Sequence, residues 1–293
     1  MIAQILAVTA PVFLLAASGY IWAKVKAPFD LDFVTRLSLS FSVPCLIFAT
    51  LVDAEIDPDA VRDIAVAALL AYGAAALVLA PIFAALGMAQ RVWLGPAVFA
   101  NTGNVGLPVA LFAFGDAGLA YAIVIFAVMA ILNFTLGIWL VTGAGRPVEA
   151  LRQPLVYASL AGGVAAITDW APPGWLLETF KLAGQIAIPM MLLTLGVSIA
   201  RLQVGGIARA TLASVMKLIV CGAAAWGVGR VLGLEGAAFG ALVLQLVMPA
   251  AVTSYLLAAR YEQDPEAVAG FVVVSTFLSL GAIPAVLAIL LGG

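Results

Sequence analysis

The sequence has no histidine, only two cysteines, and charge on just 10% of its 293 residues. Each shortage removes a class of function. Without histidine, zinc triads, thiol–imidazole pairs and serine triads all lose a member. Cys45 and Cys221 both lie inside apolar runs, so they leave the redox compartment unreadable. The 13 basic residues are scattered over a chain of net charge -2. They form no basic stripe of the kind that binds nucleic acid. No Asp or Glu sits deep in an apolar run. An intramembrane aspartyl protease would need two, and coupling schemes built on a midplane carboxylate are weakened as well. The chain is therefore expected to be no enzyme and to carry no metal and no cofactor.

What is abundant is apolar surface. Hydrophobic residues make up 65% of the chain and the mean hydropathy is +1.19. A soluble domain of this length needs far more charge on its surface, so the solvent around most of this protein is lipid. The first apolar run begins at Ile2 with no basic residue before it, which reads as a retained span and not a signal peptide.

A helix needs about 20 apolar residues to cross roughly 30 Å of hydrocarbon. Cutting the sequence at its charges gives ten segments: Ile2–Trp22, Leu37–Val52, Ile64–Gly87, Val92–Gly115, Ala117–Thr142, Pro154–Thr168, Leu182–Ala200, Ala210–Gly229, Gly236–Ala259 and Ala267–Leu291. The second and sixth are short and extend outward past Arg36 and Arg152 if those side chains snorkel.

Basic residues test this division, because Lys and Arg accumulate in cytoplasmic connections. The odd-numbered connections hold Lys24, Lys26, Arg36, Arg91, Arg146, Arg152, Arg201, Arg209 and Arg260, whereas the even-numbered ones hold only Arg62, Lys181 and Arg230. This asymmetry puts the odd connections inside and both termini outside.

Five spans per half require that any duplication be inverted. Ser42-Val43-Pro44-Cys45-Leu46-Ile47 of the second span resembles Ala187-Ile188-Pro189-Met190-Met191-Leu192 of the seventh, 145 residues on, and Pro108 of the fourth has a counterpart in Pro249 of the ninth, 141 residues on. The expected organisation is two five-helix repeats, 1–145 and 146–293, packed as one membrane domain. Chance alignment of prolines is the competing explanation.

The fourth span carries Asn101-Thr102-Gly103-Asn104-Val105-Gly106-Leu107-Pro108 at its middle. Two amides, two glycines and a proline oppose a continuous helix. Backbone freed at membrane depth is tolerated only against protein or a watery cavity, so a break here implies a site near the midplane, with Pro108 in the first turn of the second half-helix. The ninth span repeats the theme in Gln245 to Tyr255, with Pro249, Thr253 and Ser254. If the two breaks cross, half-helix N-termini point at one spot and attract a carboxylate. Asn101, Asn104, Gln245, Thr253 and Ser254 would orient it. For a lone Ser or Thr, helix–helix glue is the commoner role. Lys217 is the one charge well inside a span; the counter-charge for an anionic substrate and a stabiliser of the crossing region are the two roles open to it, with snorkelling toward the membrane surface, eight residues from Arg209, as the plain alternative. Asp116 reads as an ordinary loop acid.

At these residues the sequence resembles the auxin efflux carrier family, which includes the plant PIN-FORMED exporters and bacterial relatives. The family's Asn-Thr-x-x-x-Gly-x-Pro pattern is matched by Asn101, Thr102, Gly106 and Pro108. Its ninth-span proline is matched by Pro249, and a following tyrosine and proline resemble Tyr261 and Asp264-Pro265. The resemblance implies a crossover fold like that of bile-acid transporters and sodium/proton antiporters, scaffold and transport subdomains, and elevator-type alternating access. It also implies that Asn101 lines the site, that the two prolines mark the crossing, and that the protein sits in the plasma membrane, of bacterial inner-membrane type, where members are often homodimers. Plant exporters have a second proline where this chain has Ser254, and the long cytoplasmic loop of many of them is missing.

The leading expectation is thus an all-α, ten-span secondary carrier for a small organic anion, auxin-like or malate/malonate-like. A membrane sensor using the same site without sustained flux is the alternative, and a channel fits poorly with a closed midplane site.

Overall fold

A computed structural model describes residues 2–53, 58–142, 153–168, 170 and 172–292. The described residues form helices and no strand. In chain order these are α1 (Ile2–Lys24), α2 (Leu31–Leu37), a π-helical turn (Ser38–Ser42), α3 (Val43–Asp53), α4 (Pro58–Ala85) and α5 (Gln90–Val98). A second π-helical turn (Thr102–Gly106) leads into α6 (Leu107–Leu132), and a third (Asn133–Gly137) into α7 (Ile138–Thr142). The rest are α8 (Pro154–Ile167), α9 (Gly174–Gln185), α10 (Ala187–Arg201), α11 (Ile207–Val231), α12 (Gly236–Val247), α13 (Val252–Arg260) and α14 (Pro265–Gly292).

Local chemistry sets several of the boundaries. Asp30 caps α2, its carboxylate accepting from the Phe33 amide at 2.9 Å, as short acidic side chains do at helix starts. Asp264 caps α14 through the Ala267 amide at 3.2 Å, with Pro265 in the first turn, where its missing N–H costs nothing. Inside α6, Gly115 takes φ 65° and ψ -156°, a conformation open to glycine. The helix bends there, at the charge-marked cut between the fourth and fifth expected spans.

Several spans start earlier than their charges suggested, the third and the seventh among them. The third begins at Pro58 because Arg62 sits on the helix beside Asp59 at 3.0 Å. The helical run of the seventh begins at Gly174, since Lys181 is held by Asp53 of α3 at 2.8 Å and by Glu178 at 3.1 Å. Paired charges at a helix end do not stop it. Arg146, Arg152 and the join between the two expected halves lie outside the described residues.

Packing divides into two neighbourhoods. In one, α1 lies on α10 and α3 lies on α8 and α9. Close approach there depends on glycine: a Cβ at Gly196 would overlap the Ala16 carbonyl, one at Gly19 the Leu193 carbonyl, and one at Gly162 would meet Leu51 at 2.9 Å. In the other, α11 packs on α4, α12 and α14, and α12 packs on α6. Large apolar side chains point outward all around, among them Leu77 (78% exposed), Trp175 (72%) and Ile219 (63%). A soluble monomer does not present such a surface. Among the described residues, seven stretches are long and apolar enough to cross a bilayer, with 154–165 and 236–247 as shorter apolar helices. The protein is an all-helical, multi-pass membrane protein.

Candidate functional site

Two helical runs are interrupted deep in the protein. Between α5 and the π-helical turn, Phe99 is extended (φ -89°, ψ 91°) and Asn101 sits at φ -78°, ψ 57°. Between α12 and α13, Met248 and Ala251 are extended, with ψ 150° and ψ 141°. Pro249 explains the second break: it offers no N–H and forces the residue before it out of the helical region. The first break is narrower than its sequence suggested. Unwinding spans 99–101, upstream of Gly103, while 102–106 coils as a wide turn and Pro108 rests in the first turn of α6.

The two breaks meet. Ala100 and Ala250 form an isolated antiparallel bridge, and the Asn101 amide donates to the Pro249 carbonyl at 2.7 Å. Because freed backbone cannot be left unpaired away from water, the partners of the remaining groups matter. The Asn101 carbonyl accepts from the Val105 and Gly106 amides at 3.3 and 3.2 Å. The Ala250 amide donates to Ser275 Oγ of α14 at 3.0 Å. The Leu246 carbonyl accepts from Lys217 Nζ at 3.2 Å, and the Ala97 carbonyl accepts from Cys221 Sγ at 3.6 Å. Sequence reading missed Ser275 and Cys221, since a lone serine and a lone thiol in apolar helices give no signal.

The side chains at the crossing are in the opposite condition. Asn101 caps the turn through Oδ1, which accepts from the Asn104 amide at 3.2 Å, while its Nδ2 is buried and unpartnered among the described residues. Thr102 Oγ1 and both polar atoms of the Gln245 carboxamide are likewise unpartnered. Asn101 is 4% exposed, and Thr102 and Gln245 are 0% exposed. Gln245 reaches the turn of the other interrupted run, where a Cβ on Gly106 would collide with its carboxamide. An unmade buried hydrogen bond costs about 1–3 kcal/mol. Such a concentration of unused donors and acceptors needs a ligand or water to justify it. The half-helices beginning at Thr102 and Val252 also bring their positive dipole ends beside the bridge.

The other sequence-predicted residues are placed as follows. Asn104 is half-buried, and Pro108 and Pro249 are buried. Thr253 is exposed on α13, and Ser254 faces a small cavity shared with Arg91 and Asn133. Lys217 is buried and lines a cavity of about 10 Å³ with Met248, Pro249, Ser275 and Ser279. A roomier cavity of about 480 Å³ opens between α3, the α9–α10 run and α6. Asp53, Asp116 and Lys181 mark its polar part, and Leu111, one turn beyond Pro108, its apolar part. Among the described residues, no group of three or more acids and cysteines is arranged to hold a metal ion.

A family model described as membrane transport protein matches residues 4–151 and 145–287. An uncharacterized transporter of Methanothermobacter thermautotrophicus is 28% identical over 282 residues, 87% of each chain. An uncharacterized transporter of Methanocaldococcus jannaschii is 28% identical over 194 residues, which is 61% of this chain and 62% of that relative.

Proposed function

The chain belongs to the membrane transport protein family, that of the auxin efflux carriers, and we propose that it is a secondary carrier for a small organic anion. The anion is a carboxylate, auxin-like or malate/malonate-like, moved across the plasma membrane by elevator-type alternating access. The observation that carries this reading is the set of unpartnered amides and hydroxyl on Asn101, Thr102 and Gln245 at the junction of two interrupted helices. Nδ2 of Asn101, Oγ1 of Thr102 and Nε2 of Gln245 donate to the carboxylate. Asn104, Gly106, Pro108 and Pro249 shape the turn, and Thr253 and Ser254 lie on the half-helix that follows.

The architecture proposed is ten spans in two inverted halves with both termini outside. Residues 102–141 form a helical stretch of 40 residues. At about 1.5 Å per residue this is twice the roughly 30 Å of a bilayer core, and the bend at Gly115 divides it. Packing also supports an inverted repeat. Gly196 sits on Ala16, and the 145-residue offset carries that pair to Leu51 and Ala161; the observed contact joins Leu51 to Gly162. The neighbourhood of α1, α3, α8, α9 and α10 is the scaffold, and that of α4, α6, α11, α12 and α14 the transport unit. The cavity of about 480 Å³ lies between them and is the outer access route.

Uptake of radiolabelled mono- and dicarboxylates into proteoliposomes tests the reading. The expected result is saturable flux of at least one acid. Saturable binding with no flux under any imposed gradient would make the protein a sensor.

A further inference from the structure

We propose that Lys217 and Cys221 are positioning residues through which α11 holds the C-terminal ends of both interrupted half-helices, and so keeps Asn101 and Gln245 facing the crossing. The inference rests on the crossing being the site, but its geometry stands on its own.

A helix that stops inside a protein leaves carbonyls without intrahelical partners and a negative dipole end. Both α5 and α12 stop this way. The two donors that reach them come from one face of one helix, four residues apart, as neighbours on a helix surface are. Lys217 Nζ lies 3.2 Å from the Leu246 carbonyl in the last turn of α12, next in sequence to Gln245. Cys221 Sγ lies 3.6 Å from the Ala97 carbonyl in the last turn of α5, four residues before Asn101. The same helix packs on α4 and α14, so it is a fixed strut against which both ends register.

A buried ammonium must be compensated. No carboxylate pairs with Lys217 among the described residues. Its compensation is the helix end itself, which carries roughly half a negative charge. The cavity beside it, about 10 Å³ in volume, is the size of one water and too small for an organic anion. Lys217 therefore acts on the anion through Gln245 and the backbone, and does not touch it.

Hydrogen exchange of the full chain in lipid nanodiscs, read by mass spectrometry without any ligand, tests this. Lys217→Met should speed exchange in peptides covering 245–252 by about tenfold, the effect of losing one charge-assisted bond, while peptides from α1 and α10 stay at the wild-type rate. Lys217→Arg, which keeps charge and donors, should restore most of the protection. Cys221→Ala should loosen 97–101 and leave 245–252 alone, whereas Cys221→Ser should not loosen either. Unchanged exchange at 245–252 in folded Lys217→Met, or equal loosening throughout the protein, overturns the assignment. If Lys217→Met does not fold, Cys221→Ala decides: unchanged exchange at 97–101 refutes the strut. Since no substrate is involved, failure here leaves the carrier reading untouched, and absence of flux in the wild type leaves the strut untouched.

Discussion

The Asn101 amide and the Pro249 carbonyl lie 2.7 Å apart, and this one hydrogen bond joins the interruption of one helical run to that of another, 148 residues later in the chain. Everything proposed about the site follows from that junction. It brings the capping side chain of one break and the carboxamide from the other onto a single turn, with Asn101 Nδ2 and both polar atoms of Gln245 buried and unused.

Gly106→Ala should act through Gln245. The added methyl meets the Gln245 carboxamide and displaces it, so carboxylate affinity should fall about tenfold, as in Gln245→Leu, which removes the donor directly. The double variant should be no worse than the worse single one, because both remove the same contact. Isothermal titration with the transported acid checks this; additive losses would separate the two residues.

The two hydroxyls flanking the breaks should differ. Thr102 is buried and unpartnered, so Thr102→Val should lower uptake about tenfold if its hydroxyl serves the anion. Thr253 is exposed, and Thr253→Val should change uptake less than about twofold, as surface substitutions usually do. Initial uptake rates at matched protein levels distinguish the two.

Gly196→Ala should destabilise the protein by about 1–3 kcal/mol, because its Cβ meets the Ala16 backbone, which cannot swing aside. Gly227→Ala has open space around its Cβ and should be neutral, or more stable by about 0.5–1 kcal/mol through helix propensity. Thermal melts in detergent compare them.

Orientation is open to labelling with a membrane-impermeant maleimide. Cys45 and Cys221 are buried and contribute little background. Asp116→Cys and Lys181→Cys should react from outside intact cells, and Arg91→Cys and Arg260→Cys only after the membrane is opened. The reverse pattern would invert the topology.

The sequence made the helical architecture legible because lipid imposes long apolar runs and the few charges mark their ends. Gly115, flanked by Asp116, was readable as the end of a span. Charge cutting failed where charges pair on a helix end, as with Lys181, Asp53 and Glu178, since a paired charge looks the same in sequence as a loop charge. At the site, proline and amide content located both breaks, but not the residues that unwind: Phe99 and Ala100 are ordinary helix formers, and their conformation is set by the partner segment at 249–250. Such long-range pairing has no local signature. The same is true of Ser275, whose role appears only once α14 is packed beside Ala250.

The most direct test of the central claim is uptake of labelled carboxylates into proteoliposomes by wild-type protein and Asn101→Ala, with melting temperature measured alongside. Losing the cap should cost about 1 kcal/mol of stability, so the variant should stay folded, while losing Nδ2 should abolish saturable uptake. A folded Asn101→Ala that transports the same acid at the wild-type rate would contradict the account.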